Sequence, residues 1–175
     1  LPGGITRQSA DARCDGGMAC YRGHYEAEGM FRTPVFDGMR AAISGLGEAG
    51  ATLYIATSKP RTLARNILER NGLLGHFHEV YGARPDDSGA EKPELIAAVL
   101  SDHRIEKHHA IMIGDRRFDI SGAHANSIRA IGVSWGYGGD GELDEAGPEE
   151  IAGGPADLPR LVTTQLDASR RHVAA

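Results

Sequence analysis

From residue 38 onward the apolar positions fall into two alternating patterns. Met39, Ala42, Ile43 and Leu46 recur at helical spacing, and Gly50 stands where a left-handed residue closes a helix, so residues 38–49 are predicted to form an amphipathic helix. Leu53-Tyr54-Ile55-Ala56 differs: it is a continuous apolar run without alternation, the pattern of a strand buried on both faces of a parallel sheet. The same reading predicts a helix from about Pro60 to Asn71 closed by Gly72, a strand around Val80-Tyr81, a helix from Pro93 to Leu100 and a strand at Ala110-Ile111-Met112-Ile113. A helix near Ile120 to Asn126, a strand at Ala130-Ile131-Gly132-Val133, a Gly-rich loop and a last short helix around Leu158 to Val162 complete the series. Strictly alternating elements joined by short loops imply right-handed crossovers and an α/β fold, a doubly wound parallel sheet with helices on both faces.

The remainder of the chain is less regular. Residues 1–20 are rich in Gly, Asp, Arg and Ser without periodicity and read as a loop or frayed terminus, while Tyr21 to Met30 are good helix formers interrupted by the Pro34 to Gly38 segment. The length of 175 residues suits one domain with a core. No apolar run approaches the ~20 residues of a membrane-spanning helix, and the formal charge of −5 argues against a nucleic-acid binder, whose affinity rests on a basic surface. The densest cationic stretches, Arg104 to His109 and Arg170 to His172, read as solvated surface. Cys14 and Cys20 have no partner pair at zinc-site spacing and make no secreted disulfide framework, and the N-terminus lacks the layout of an export signal, so free thiols and a cytoplasmic setting are expected.

In an open α/β sheet, functional groups gather beyond the carboxyl ends of the strands. The first predicted strand runs into Thr57-Ser58-Lys59-Pro60, hydroxyls and amides at a helix N-terminus, where an anion such as phosphate is favoured, although taken alone Ser58 reads first as a cap of the helix that Pro60 begins. The next strand leads to Lys92-Pro93 at the start of a helix. A cation sits poorly there, and the chain has only three lysines against sixteen arginines, so an ammonium at this point invites a role in neutralising a phosphoryl group. The third is Gly114-Asp115-Arg116-Arg117-Phe118-Asp119, where a first helical turn would place both carboxylates on one side as hard oxygen ligands for magnesium; Asp at a helix start is also an ordinary cap. Thr57, Lys92 and Asp115 follow successive strands at intervals of 35 and 23 residues. A hydroxyl, an ammonium and a carboxylate pair converging on one crevice are the components that phosphoryl transfer needs.

The ordered set Leu53 to Pro60, Lys92-Pro93 and Gly114 to Asp119, followed by Gly122-Ala123-His124-Ala125-Asn126 and Gly132-Val133-Ser134-Trp135-Gly136-Tyr137-Gly138, resembles motifs II, III and IV and the trailing region of haloacid dehalogenase-superfamily phosphatases. The similarity spans roughly residues 21–165 and lies toward the phosphoglycolate phosphatase-like branch and 5′-nucleotidases with an Ala-Thr-Ser-Lys-Pro motif. The resemblance implies a Rossmann-like core over residues 36–165, the remnant of a helical cap and a disordered N-terminus over 1–35, and a C-terminal tail over 166–175. It further implies that Thr57, with Ser58 beside it, binds the phosphoryl oxygens, that Lys92 offsets their charge and positions the nucleophile, and that Asp115 holds Mg2+ with help from Asp119.

One part of the family pattern has no counterpart. Family members begin with a strand ending in Asp-x-Asp-Gly-Thr, whose first Asp is the nucleophile and whose second is the general acid/base; Asp11-Ala12-Arg13-Cys14-Asp15-Gly16-Gly17 has the wrong spacing and no strand before it. The chain thus reads as starting inside the cap, with the central first strand absent. That would leave interior strand edges unpaired and would favour strand exchange with another chain into a homo-oligomer. The expected activity of the parent protein is hydrolysis of a small phosphorylated metabolite such as phosphoglycolate or a nucleoside monophosphate through an aspartyl-phosphate, with this chain alone inactive. The alternative is a nucleophile-free binding or regulatory module that keeps the anion pocket. A receiver-type domain is disfavoured, because residues 1–35 offer no strand for an early acidic cluster. Tyr21, His24, Tyr25 and Arg32 are assigned core or surface roles ahead of substrate contact, and His76 and His78 a turn before a strand.

Overall fold

Each apolar run becomes a strand and each helical-period segment a helix. The computed structural model describes residues 34–84 and 88–173. The expectations for Cys14, Cys20, Tyr21, His24, Tyr25, Arg32 and the cap remnant fall outside the described residues, save for its last two, Pro34 and Val35. In chain order the elements are α1 (Met39–Glu48), β1 (Tyr54–Pro60), α2 (Arg61–Arg70), β2 (Glu79–Ala83), α3 (Lys92–Asp102), β3 (Ile111–Gly114), α4 (Arg117–Ala125), β4 (Arg129–Val133), α5 (Glu142–Ala146), β5 (Glu150–Ala152) and α6 (Leu158–Val173). Short 3-10 turns occupy Leu74–His76, Lys107–His109 and Pro155–Asp157. No helix among the described residues is long and apolar enough to cross a membrane.

All strand pairs are parallel, as continuous apolar runs require. β1 pairs with β2, Tyr54 opposite Glu79 through Thr57 opposite Gly82. β3 pairs with β4, Ile111 opposite Arg129 through Gly114 opposite Gly132, and β4 pairs with β5. No ladder joins the β1-β2 pair to the β3-β4-β5 sheet. The edges of β1 and β3 therefore carry no strand partner on one side, among the described residues. Their side chains nonetheless share two cores. Leu53, Ile111 and Ile113 pack against the cluster of Ala42, Leu46, Ile131, Val133, Leu158, Leu161 and Val162; Ala56 and Met112 pack against the cluster of Ile96, Ile120, Ala123, Ile128, Ala130 and Leu143. Burying side chains such as Ile120, Ile131 and Leu158 stabilises the fold by roughly 1.5–3 kcal/mol each.

Three elements differ from the sequence expectation. The last helix extends from Leu158 to Val173 instead of stopping near Val162, because Leu161, Val162, Gln165 and Leu166 continue one core-facing stripe. The Gly-rich loop contains α5 and β5, both too short for a periodic signal. β1 reaches Pro60, with a register shift between Thr57 and Pro60, so the segment expected to open a helix is a bulged strand end.

At the opposite, amino-terminal end of β1 and β2, rings from Tyr54, His78 and His103 gather with centroids 4.6 to 5.5 Å apart. The Tyr81 hydroxyl donates to Asp102 Oδ2 at 2.9 Å. Burial, then this bond to an anion, pushes the Tyr81 phenol up to about 12.

Candidate phosphate-handling site

The bulge after Thr57 turns the end of β1 back on itself. Thr57 Oγ1 accepts the Lys59 amide at 3.2 Å. Helix α2 begins only at Arg61, with Pro60 at the N-cap and no side-chain cap, so Ser58 is not its cap; it is exposed at the strand end.

Lys92 is the first residue of α3, at the positive end of the helix dipole. Two oxygens offset that misfit. Its Nζ donates to the Ala56 carbonyl at 2.6 Å and lies 2.7 Å from Asp119 Oδ1. The Ala56 carbonyl is on the residue just before Thr57, so the ammonium spans from the end of β1 to the helix that follows β3. Asp119 is buried, and its Oδ2 accepts the Arg116 amide at 3.1 Å, capping the start of α4 from its N3 position. Oδ1 accepts no hydrogen bond of good geometry from the described residues, and the Lys92 charge is its compensation.

Asp115 is placed by other means. The two carboxylates do not share a helical turn, as the spacing suggested, because α4 starts at Arg117 and its N-cap Arg116 is extended at φ −125 and ψ 151. Asp115 instead sits in the turn between β3 and α4, where its Oδ2 accepts the Tyr137 amide at 2.7 Å. Glycines make both placements feasible. A Cβ at Gly114 would fall on Asp119, and one at Gly136 would fall on Asp115, so each carboxylate occupies space that a neighbouring side chain would fill.

Glu142, the first residue of α5, ties the turn to the loop holding Asp115. Its Oε1 accepts Arg116 Nε and the Arg117 amide, both at 2.9 Å, and its Oε2 accepts the Gly139 amide at 3.0 Å. The Gly139 amide first, then the Arg116 guanidinium and the Arg117 amide, hold the Glu142 carboxyl down at about 2. Glu142 in turn raises the Arg116 guanidinium above its ordinary value.

A chain of contacts therefore runs from Ala56 through Lys92 to Asp119, and on to Gly114 beside Asp115. Thr57 and Asp115 border this chain but are held by their own loops. Sequence reasoning missed Glu142, the Ala56 carbonyl and the Tyr137 amide. Backbone groups leave no trace in residue identity, and Glu142 is one of many acids; the Gly139-Asp140-Gly141-Glu142 run was the one available hint. A family model described as haloacid dehalogenase-like hydrolase matches residues 4–133, the span in which Thr57, Lys92, Asp115 and Asp119 lie.

The chain belongs to the haloacid dehalogenase-like hydrolase family. The match begins within the segment read as a frayed terminus. The chain is 37% identical over 141 residues to a 5′-nucleotidase of Pseudomonas aeruginosa, covering 81% of the chain and 62% of that protein. It is also 37% identical over 121 residues to tyrosine-protein kinase PtkA of Mycobacterium tuberculosis, covering 69% of the chain and 42% of the kinase. The chain thus spans 62% and 42% of the length of these two family relatives. Among solved structures, a predicted phosphatase from Clostridium acetobutylicum superposes with a TM-score of 0.81 at 35% identity, covering 84% of the chain and 68% of that structure. The α/β fold with parallel strands read from the sequence is that of the family.

As an ion site, the acidic part of this haloacid dehalogenase-like centre offers hard carboxylate oxygens, the donors Mg2+ takes together with waters and a phosphate. Asp119 has its oxygens directed to Lys92 and the Arg116 amide, whereas the Tyr137 amide fixes the orientation of Asp115. The donor set fits a magnesium-type ion centred on Asp115.

Proposed function

We propose that this chain is the phosphate-handling part of a Mg2+-dependent phosphomonoesterase acting on a small phosphorylated metabolite, such as phosphoglycolate or a nucleoside monophosphate, in the cytoplasm. The observation that carries this reading is the Lys92 ammonium suspended between the Ala56 carbonyl and the buried Asp119. A buried ion pair is a poor way to gain stability compared with apolar packing, so its presence at the carboxyl ends of two strands supports a functional charge.

In this proposal Thr57 and Ser58 bind phosphoryl oxygens, Lys92 offsets their charge, Asp119 orients Lys92 and assists at the metal, and Asp115 is the principal ligand. Bound Mg2+ would supply charge neutralisation at the phosphoryl group. The nucleophilic aspartate would come from a strand pairing along the unpartnered edges of β1 and β3, which no described residue occupies. Such a strand would place its end beside Lys92, where the ammonium now rests on a β1 carbonyl.

Hydrolysis of p-nitrophenyl phosphate, phosphoglycolate and nucleoside 5′-monophosphates tests the reading, with and without Mg2+, on this chain and on a form extended at its amino end by a strand ending in Asp-x-Asp-Gly-Thr. Mg2+-dependent turnover by the extended form, lost in Asp115→Asn and Lys92→Ala, is expected, with this chain alone inactive. Turnover indifferent to Asp115 and Lys92 overturns it. Equal identity to a tyrosine kinase and a nucleotidase favours one second reading, phosphoryl transfer to tyrosine, scored in the same series with labelled ATP and a tyrosine peptide.

A further inference from the structure

The turn Lys107–His109 enters β3 at its amino-terminal end, whereas the phosphate-handling residues follow the carboxyl end of the same strand. From the sequence this stretch read as solvated cationic surface. In the fold it brings together Glu106, His108 and His109, whose ligand atoms all lie within 4.8 Å of one another. Among the described residues this is the one trio of His, Cys, Asp or Glu so arranged.

We propose that Glu106, His108 and His109 form a second metal site, selective for a borderline divalent cation of the zinc type over Mg2+. The donor set decides the class. Two imidazoles and one carboxylate suit Zn2+, Ni2+ or Cu2+, whereas Mg2+ seeks an all-oxygen shell and sheds water reluctantly. Three protein ligands leave a fourth tetrahedral position for water.

The geometry is close to what such an ion needs. With metal–ligand bonds of about 2.1 Å, tetrahedral ligand atoms stand about 3.4 Å apart. His108 Nε2 and Glu106 Oε2 are already 3.2 Å apart. The His108 and His109 rings lie with centroids 4.1 Å apart. Glu106 and His109 are exposed, so rotation about their side-chain bonds closes the remaining distance without disturbing the core. The backbone beneath them is fixed: the His109 amide donates to the Glu106 carbonyl at 2.9 Å, the Ala110 amide to the Lys107 carbonyl at 3.2 Å, and α6 packs against the turn. The Lys107 ammonium on the same turn opposes a cation and keeps the affinity moderate.

Calorimetric titration with Zn2+ tests this on the whole chain, free of any histidine tag, in a Cys14→Ser/Cys20→Ser background and in saturating Mg2+. One equivalent is expected to bind and raise the Tm by a few degrees, with shifts of the His108 and His109 imidazole resonances. His109→Ala, which alters an exposed side chain, and Glu106→Gln should each weaken binding at least ~10-fold, since even loss of an outer-shell partner costs that much. Asp115→Asn should leave it unchanged. Absence of saturable binding, or binding that survives His109→Ala and fails in Asp115→Asn, overturns the proposal. Because the readout is Zn2+ binding and not phosphatase turnover, its failure is separate from failure of the phosphatase reading.

Discussion

Replacing Lys92 with Met keeps an unbranched side chain, one heavy atom shorter, and removes its charge. The ammonium now faces the Ala56 carbonyl at 2.6 Å and Asp119 Oδ1 at 2.7 Å, with side-chain exposures of 17% for Lys92 and 6% for Asp119. In the variant Asp119 is left buried with Oδ1 uncompensated. Removing one partner of a buried pair costs about 3–5 kcal/mol, and the residual exposure of Lys92 places this case near the lower end, about 3 kcal/mol. Asp119→Asn, which preserves an acceptor for the Arg116 amide but strands the ammonium, should cost about 2 kcal/mol by the same reasoning. The double variant buries no unpaired charge and should lose much less than the sum, giving a coupling energy of about 2–3 kcal/mol. Urea unfolding followed by circular dichroism measures all four proteins. With a slope of about 1–3 kcal/mol per molar urea, Lys92→Met alone should lower the midpoint by about 1–3 M. Additive single effects, or a Lys92→Met midpoint equal to that of the parent, would refute the claim that these two charges compensate one another in a dry environment.

Other outcomes follow from the same geometry. Glu142 has a folded pKa of about 2, below its ordinary 4.5, so its contribution is full above about 4.5 and is lost as pH falls through 2. Acid titration of stability should therefore lose part of its slope in that window in Glu142→Gln. Tyr81 behaves oppositely: with its pKa raised from 10.0 to about 12, it supports the fold below pH 10 and ceases to do so as pH rises through 12. Alkaline denaturation should begin later in Tyr81→Phe, and the absorbance of phenolate should lose a late-titrating component in that variant, with Tyr54, also raised by burial, still titrating late. Gly136→Ala places a Cβ on the Asp115 Cβ and carboxylate, so it should weaken Mg2+ binding, read by magnesium titration of amide resonances, at least ~10-fold and, as an overpacking change, cost about 1–3 kcal/mol of stability. An unchanged Mg2+ affinity there would remove Asp115 from the proposed ion site.

The order of elements was legible in the sequence because it depends on local pattern. Leu53 to Ala56, Ala110 to Ile113 and Ala130 to Val133 could bury both faces only as parallel strands, and Met39, Ala42, Ile43 and Leu46 could share a face only on a helix. The end points of these strands, and hence Thr57, Lys92 and Asp115 as candidates, followed from topology. Tertiary structure decided what each candidate touches. Whether Asp119 would stand beside Asp115 on a helical turn or reach across to Lys92 depended on where α4 begins, where Asp119 takes the Arg116 amide and Glu142 takes the Arg117 amide from 25 residues away. The ammonium's second partner is a carbonyl, a group every residue owns, so no reading of side chains could name Ala56. The trio at Glu106, His108 and His109 was likewise visible as letters, but only the packed 3-10 turn brings its ligand atoms together. Local periodicity is a property of consecutive residues and survives in the sequence; pairing between distant ones arises when the chain closes on itself.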